Sequence, residues 1–396
     1  MKTRIEDLAI FGGQPVFREK FHVGRPNIGN RQRLLARIDD VLDSRWLTND
    51  GPYLQEFERR VAKLLGVRHC IAVANGTVGL EIAIRAAGLT GEVIVPSFTF
   101  VATAHSLLWQ NITPVFADVD EHTHTLDVAK LQQLITPRTT GILGVHLWGR
   151  PCQIDRLVEV ARDHHLRLLF DAAHAFACSY NGRMIGGFGD AEVFSFHATK
   201  FVNTLEGGAI VTNDDKIAHD SRLFRNFGFT DYDSVESVGT NAKMNEIEAA
   251  IGITSLEGMP EVLAVNKRNY MAYSDEMMEI EGISLVKYNE NEAGNYQYVV
   301  LEIDETQIGI SRDQLLDVLH HEGVLARRYF FPGCHRMEPY RSLYPDVGRQ
   351  LRSTEELCRR TLVLPTGTSV GVRDVKEICE IIRFVASHKD VISNRR

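Results

Sequence analysis

Apolar and polar positions alternate in blocks along the first two thirds of the chain. Glu56–Leu65 carries apolar residues at helical spacing and predicts an amphipathic helix. The continuous apolar run His69–Ala74 predicts a buried strand that stops at Asn75-Gly76-Thr77, and Val78–Ala87 returns to helical spacing. Val93–Val95 is a strand closed by Pro96, and Val101–Trp109 is helical again. Further strands are expected at Val115–Ala117, Ile142–His146, Leu166–Phe170, Val193–Phe196 and Ala209–Val211, which brings the total to seven. Short apolar runs between helices indicate a mainly parallel sheet covered on both faces. Ligands of such sheets gather beyond the carboxyl ends of the strands, and Asn75, Asp171 and Ser195 fall at or near those ends.

A helix-like run at Arg31–Leu42 lies within a mixed N-terminal extension. After Met259-Pro260 the texture changes: a helix near Glu261–Glu279, then strands and turns over Ile283–Ile303. The expected organisation is an α/β protein with an N-terminal extension and large domain over residues 1–255, and a smaller α+β domain over residues 256–396.

Composition narrows the function. The 396 residues are 44% hydrophobic and 24% charged, as in an ordinary globular protein, and 44 Lys plus Arg against 52 Asp plus Glu give a net charge of −8. That excess argues against a nucleic-acid surface. Cys70, Cys152, Cys178, Cys334, Cys358 and Cys379 show neither disulfide-scaffold nor zinc spacing and are expected to be free thiols. The N-terminus lacks a signal-peptide core, and no run approaches the roughly 20 apolar residues that span a bilayer, so a cytoplasmic protein is expected. The pairs His122/His124, His164/His165 and His320/His321 have no accompanying acidic cluster and read as solvated surface histidines, with no metal expected.

The chemistry concentrates around Lys200, which ends Phe194-Ser195-Phe196-His197-Ala198-Thr199-Lys200, downstream of Phe170-Asp171-Ala172-Ala173-His174 and before Glu206-Gly207-Gly208. A lysine amine can condense with the aldehyde of pyridoxal phosphate, and a carboxylate that closes a buried strand can pair with the pyridinium nitrogen. A hydroxyl such as that of Ser195 can hold the phosphate.

These segments, with Phe11-Gly12-Gly13-Gln14-Pro15, Glu206-Gly207-Gly208-Ala209-Ile210-Val211-Thr212-Asn213 and Asn241-Ala242-Lys243-Met244-Asn245, resemble the DegT/StrS sugar aminotransferases, which have the type I fold of pyridoxal-phosphate enzymes. The resemblance implies a homodimer with active sites at the interface and a large domain built on a mainly parallel seven-stranded sheet. It implies that Gly76 and Thr77 bind the cofactor phosphate, a role that a strand-to-helix turn can fill because its first N–H groups are unpaired. Phe100 matches the aromatic that stacks on the pyridine ring, although on pattern alone it is equally a core residue. Asp171 is implied to meet the ring nitrogen. His174 is implied to lie near the ring hydroxyl, where relatives more often have Gln; a plain helix-start histidine is the other reading. Asn241 is implied to reach the phosphate of the neighbouring subunit, and Lys243 stands where the family usually has arginine.

Arg327-Arg328-Tyr329 opens a segment similar to one in the dTDP-4-amino-4,6-dideoxyglucose transaminases of this family. Cations beside aromatics suit a nucleotide diphosphate and base; surface arginines on a small-domain loop are the alternative. The implied reaction moves an amino group from L-glutamate to dTDP-4-keto-6-deoxy-D-glucose. Amination at carbon 3 of a related ketosugar stays open. A sugar 3-dehydratase (a lyase) is disfavoured, because those relatives have histidine in place of Lys200. A sensor that merely kept the fold is disfavoured by the complete Asp171/Lys200 pair.

Overall fold

The computed structural model describes residues 2–393. Its central sheet has seven strands: β1 (His69–Val73), β2 (Glu92–Pro96), β3 (Thr113–Ala117), β4 (Thr139–Val145), β5 (Arg167–Asp171), β6 (Ala191–Ser195) and β7 (Gly208–Thr212), in the spatial order β1-β7-β6-β5-β4-β2-β3. Only β7 runs against its neighbours; the β6–β5, β5–β4, β4–β2 and β2–β3 pairs are parallel. The expected mainly parallel sheet is therefore present.

Beyond α1 (Arg31–Ser44) of the N-terminal extension, helices bury both faces of the sheet. Phe170 and Phe194 pack with Leu54, Phe57 and Val61 of α2 (Pro52–Leu65), whereas Leu169 and Val193 pack with Leu80 and Ile84 of α3 (Gly76–Ala86) and Leu107 of α4 (Ala102–Leu108). Strand alternation then sends Asp171 and Ser195, each two residues further on, toward the face that α3 and α4 cover. That places both polar groups where the two helices begin.

Two elements differ from expectation. The helix foreseen at Glu261–Glu279 is Glu246–Met277, and it passes through Pro260 without stopping. Its start is fixed by a reciprocal cap between Asn245 and Glu248. Ala249 and Ile253 anchor the first half in the core under the sheet, and Tyr270, Tyr273 and Met277 anchor the second half in a separate C-terminal core. Two anchored halves outweigh the one hydrogen bond a proline removes, so the expected boundary near residue 255 falls inside a helix.

The N-terminal extension also joins the C-terminal core. Leu8 and Phe17 are buried there, and Phe21–His22 pairs in parallel with Val324–Leu325. The buried carboxylate of Glu322 accepts from the backbone N–H of Ala9 (2.7 Å) and of Val16 (2.8 Å). That core covers an antiparallel sheet of Ile283–Leu285, Val299–Ile303 and Thr361–Leu364.

His124 corrects the surface reading of the histidines: it is 1% exposed, because it accepts from the indole N–H of Trp148 and meets Glu302. His122, His164, His165, His320 and His321 are exposed as expected. All six cysteines are buried and free. Among the described residues no helix is long and apolar enough to cross a membrane, and no group of side chains is arranged to hold a metal.

Candidate active site

A cleft of about 670 Å³ opens at the carboxyl ends of β5 and β6, beside the starts of α3 and α4. It gathers Gly76, Thr77, Phe100, Asp171, His174, Ser195, Lys200, Arg327 and Tyr329, which are most of the residues singled out in the sequence.

Asp171 is 7% exposed. Its Oδ2 accepts from the hydroxyl of Thr103 at 2.8 Å, and its Oδ1 accepts from the backbone N–H of Ala173 at 3.1 Å. Burial pushes its pKa up, against these two bonds and the charges of Lys200 and His146. No salt bridge to Asp171 forms among the described residues, so its charge is stabilised only by neutral donors and more distant cations. A ligand cation would complete the site.

Lys200 is partly exposed, and its Nζ donates to the phenol oxygen of Tyr298 at 3.2 Å. Burial draws the amine down to about 8, with Asp171 pulling the other way. About a tenth of the amine is thus neutral and nucleophilic at pH 7, far more than for an ordinary lysine. His174 lies against Tyr298, with ring centroids 4.3 Å apart, and its Nδ1 accepts from the backbone N–H of Trp148. Burial and the charge of Lys200 hold His174 well below the ordinary histidine range. The imidazole is neutral, with its proton on Nε2.

At the other end of the cleft, Asn75 caps α3. Its side chain accepts from Val78 N–H and its carbonyl from Gly79 N–H, which leaves the N–H groups of Gly76 and Thr77 without an acceptor among the described residues. Ser195 abuts this turn: a β-carbon at Gly76 would stand 3.1 Å from that of Ser195. Gly208 is tighter, since its β-carbon would meet the backbone of Asn75 and Gly76 at 2.8 Å. The second glycine of Glu206-Gly207-Gly208 therefore lets β7 run directly beneath the turn. Two free N–H groups at a helix start, with the hydroxyls of Thr77 and Ser195, make an anion cradle.

Phe100 is 59% exposed at the cleft wall, not in the core. Arg327 lies over the ring of Tyr329 at 5.3 Å, within the cleft. Arg328 is not brought to the cleft: it pairs with Asp313 at 3.1 Å and covers Phe331. Adjacent residues in an extended segment point to opposite sides, so the two arginines could not both face the ligand. Asn241 is exposed outside the cleft lining, and its Oδ1 accepts from Lys243 at 2.7 Å. Sequence reasoning missed Tyr298, Thr103 and Trp148. Thr103 stands one helical turn beyond Phe100, a spacing that could have flagged it; nothing local marks Tyr298 or Trp148.

Residues 29–383 match the DegT/DnrJ/EryC1/StrS aminotransferase family. The chain belongs to that family. It is 33% identical to a dTDP-4-amino-4,6-dideoxy-D-glucose transaminase of Shigella dysenteriae over 94% of this chain and 99% of the relative. It is 35% identical to a GDP-perosamine synthase of Caulobacter vibrioides over 91% and 96%. The crystal structure of DesI in the presence of its TDP-sugar product is similar over 98% of both chains, at 50% identity and a TM-score of 0.94.

The protein is thus a pyridoxal-phosphate-dependent sugar aminotransferase with the type I fold. The donor set suits that cofactor. A buried carboxylate without an ion-pair partner suits the ring nitrogen, a partly neutral amine suits the aldehyde, and the cradle at Gly76, Thr77 and Ser195 suits the phosphate.

Proposed function

We propose that this aminotransferase moves an amino group from L-glutamate to carbon 4 of dTDP-4-keto-6-deoxy-D-glucose, giving dTDP-4-amino-4,6-dideoxy-D-glucose. The observation that carries the reading is Arg327 over Tyr329 in the same cleft as Lys200. A cation on an aromatic face suits the diphosphate and base of a nucleotide sugar. The TDP-sugar product of DesI, at 50% identity, and the dTDP-sugar transaminase name of the Shigella relative support the same chemistry.

When bound, the cofactor supplies an electron sink. Lys200 would hold it covalently and, as a free amine, would carry the proton at the amino donor's α-carbon. Asp171 holds the ring-nitrogen proton, and Nε2–H of His174 donates toward the ring hydroxyl. Phe100 sets the depth of the ring by stacking. Gly76, Thr77 and Ser195 hold the phosphate, with Asn241 of one subunit serving the phosphate of its partner in a homodimer. Its exposure outside the lining of its own cleft supports that assignment. Arg327 and Tyr329 bind the nucleotide. The enzyme works in the cytoplasm, and the two-domain division of the sequence places Lys200 in the large domain and Arg327 in the small one.

The test is incubation of the cofactor-loaded enzyme and glutamate with dTDP-, UDP- and GDP-linked 4-ketosugars and a dTDP-linked 3-ketosugar. Mass spectrometry and NMR then identify the product. Amination at carbon 4 of the dTDP sugar is expected; preference for the 3-ketosugar or for a GDP sugar, as the perosamine synthase name suggests, would replace this reading.

A further inference from the structure

We propose that Tyr298 is a positioning residue for the reaction, whose phenol oxygen holds the free amine of Lys200 with the nitrogen lone pair left open to the cleft. The inference rests on the functional reading above and specifies how its proton carrier is aimed.

The contact is Nζ to the phenol oxygen at 3.2 Å, with Nζ 5.9 Å from the ring centroid. Tyr298 is 7% exposed, and its ring packs beside Trp148, at 5.4 Å, and His174, at 4.3 Å, which stack on each other at 5.8 Å. Its backbone is fixed twice by Tyr288, whose hydroxyl donates to Tyr298 O at 3.2 Å and accepts from Tyr298 N–H at 3.3 Å. The long side chain of Lys200 thus rests on a hydroxyl that its own packing holds in place.

The direction of the hydrogen bond matters. An ammonium nitrogen can only donate to the phenol oxygen; a neutral amine can donate to it or accept from the phenol O–H, and the donating arrangement is the productive one. In the neutral state this uses one N–H, and the lone pair remains available. That nitrogen takes the proton from the α-carbon of the amino donor, while the electron pair of the broken C–H bond stays on the substrate side. The ammonium so formed later hands the proton on, and the phenol gains and loses none. Burial holds the Tyr298 phenol well above its ordinary value, so it remains a neutral acceptor. A phenolate there would trap Lys200 as an ammonium.

Tyr298→Phe removes the oxygen and keeps the ring packed against Trp148 and His174. The expected result is a fall in kcat of about tenfold or more for the half-reaction with the amino donor, with KM changed less than about twofold and cofactor content unchanged. A second readout uses the apo-enzyme: the pH dependence of acetylation of Lys200 by acetic anhydride, followed by peptide mass spectrometry. Loss of an acceptor that favours the ammonium should move the midpoint of Tyr298→Phe below that of the wild type. Both changes together support the proposal. An unchanged kcat, or a lowered kcat with an unchanged midpoint, overturns it. If the wild type itself aminates none of the sugars, the functional reading fails, and the acetylation midpoint still decides the Lys200–Tyr298 contact.

Discussion

The backbone N–H of Trp148 donates to Nδ1 of His174 at 3.3 Å, and this bond sets which nitrogen of the imidazole carries the proton. Trp148 can make it because its backbone is left-handed, at φ 62°, a conformation unusual for a bulky residue. The indole is fixed from behind: its Nε1 donates to His124 Nδ1 at 3.1 Å, and His124 Nε2 meets Glu302 at 3.0 Å.

His124→Phe should therefore destabilise the protein by about 1–3 kcal/mol, since it strands a buried indole N–H. Glu302→Gln should cost less, because an amide oxygen still accepts from Nε2–H. Urea denaturation of the apo-enzyme measures both, and an unchanged stability in His124→Phe would show that the indole N–H of Trp148 is satisfied by something else; Glu302→Gln also weakens the pair of Glu302 with Arg360 at 2.8 Å.

Lys200→Ala and Lys200→Arg should each lower transamination by about a thousandfold or more while leaving the melting temperature near that of the wild type. Alanine has no amine, and arginine stays protonated. Near-normal turnover in either variant would remove Lys200 from its role.

Asp171→Asn should keep some cofactor but lose about a hundredfold in rate, because an amide cannot stabilise a protonated ring nitrogen as a buried carboxylate does. Absorbance reports retention and single-turnover kinetics report the rate. Equal rates for both proteins would place the ring-nitrogen partner elsewhere.

Stability should fall on the acid side partly through His174. Its folded pKa is depressed, so the unfolded chain binds the extra proton first and stability declines as pH drops through the unfolded value of about 6.5. His174→Gln removes this contribution. Thermal melts of the apo-proteins from about pH 8 to about pH 5 should show the variant losing less than the wild type; parallel curves would mean that His174 already titrates normally.

Mixing Asn241→Ala with Lys200→Ala should restore activity through hybrid dimers. One pocket of a hybrid carries both lesions and the other carries neither. Transamination measured after verified subunit exchange tests this, and a mixture no more active than its parents would confine Asn241 to its own chain.

Much of this architecture was legible in the chain. Seven apolar runs between helices gave the sheet, because a strand buried on both faces must be apolar throughout. Asp171, Ser195 and Lys200 stood out because each interrupts or follows such a run with a group that needs a partner. The helix through Pro260 was misread, since the penalty of a proline is local and the two cores that outweigh it lie far apart in sequence. His124 was misread for the same reason: its partners Trp148 and Glu302 are distant along the chain.

The sequence by itself therefore determined the alternation of strands and helices, the lysine–aspartate chemistry and the strand-to-helix turn at Gly76-Thr77, which show in periodicity and short local motifs. Only the tertiary structure decided that Tyr298 receives the amine of Lys200, that Trp148 orients His174, and that Arg327 but not Arg328 enters the cleft. Those choices depend on contacts between residues far apart in the chain and on which side of an extended segment faces inward, and no local pattern encodes either.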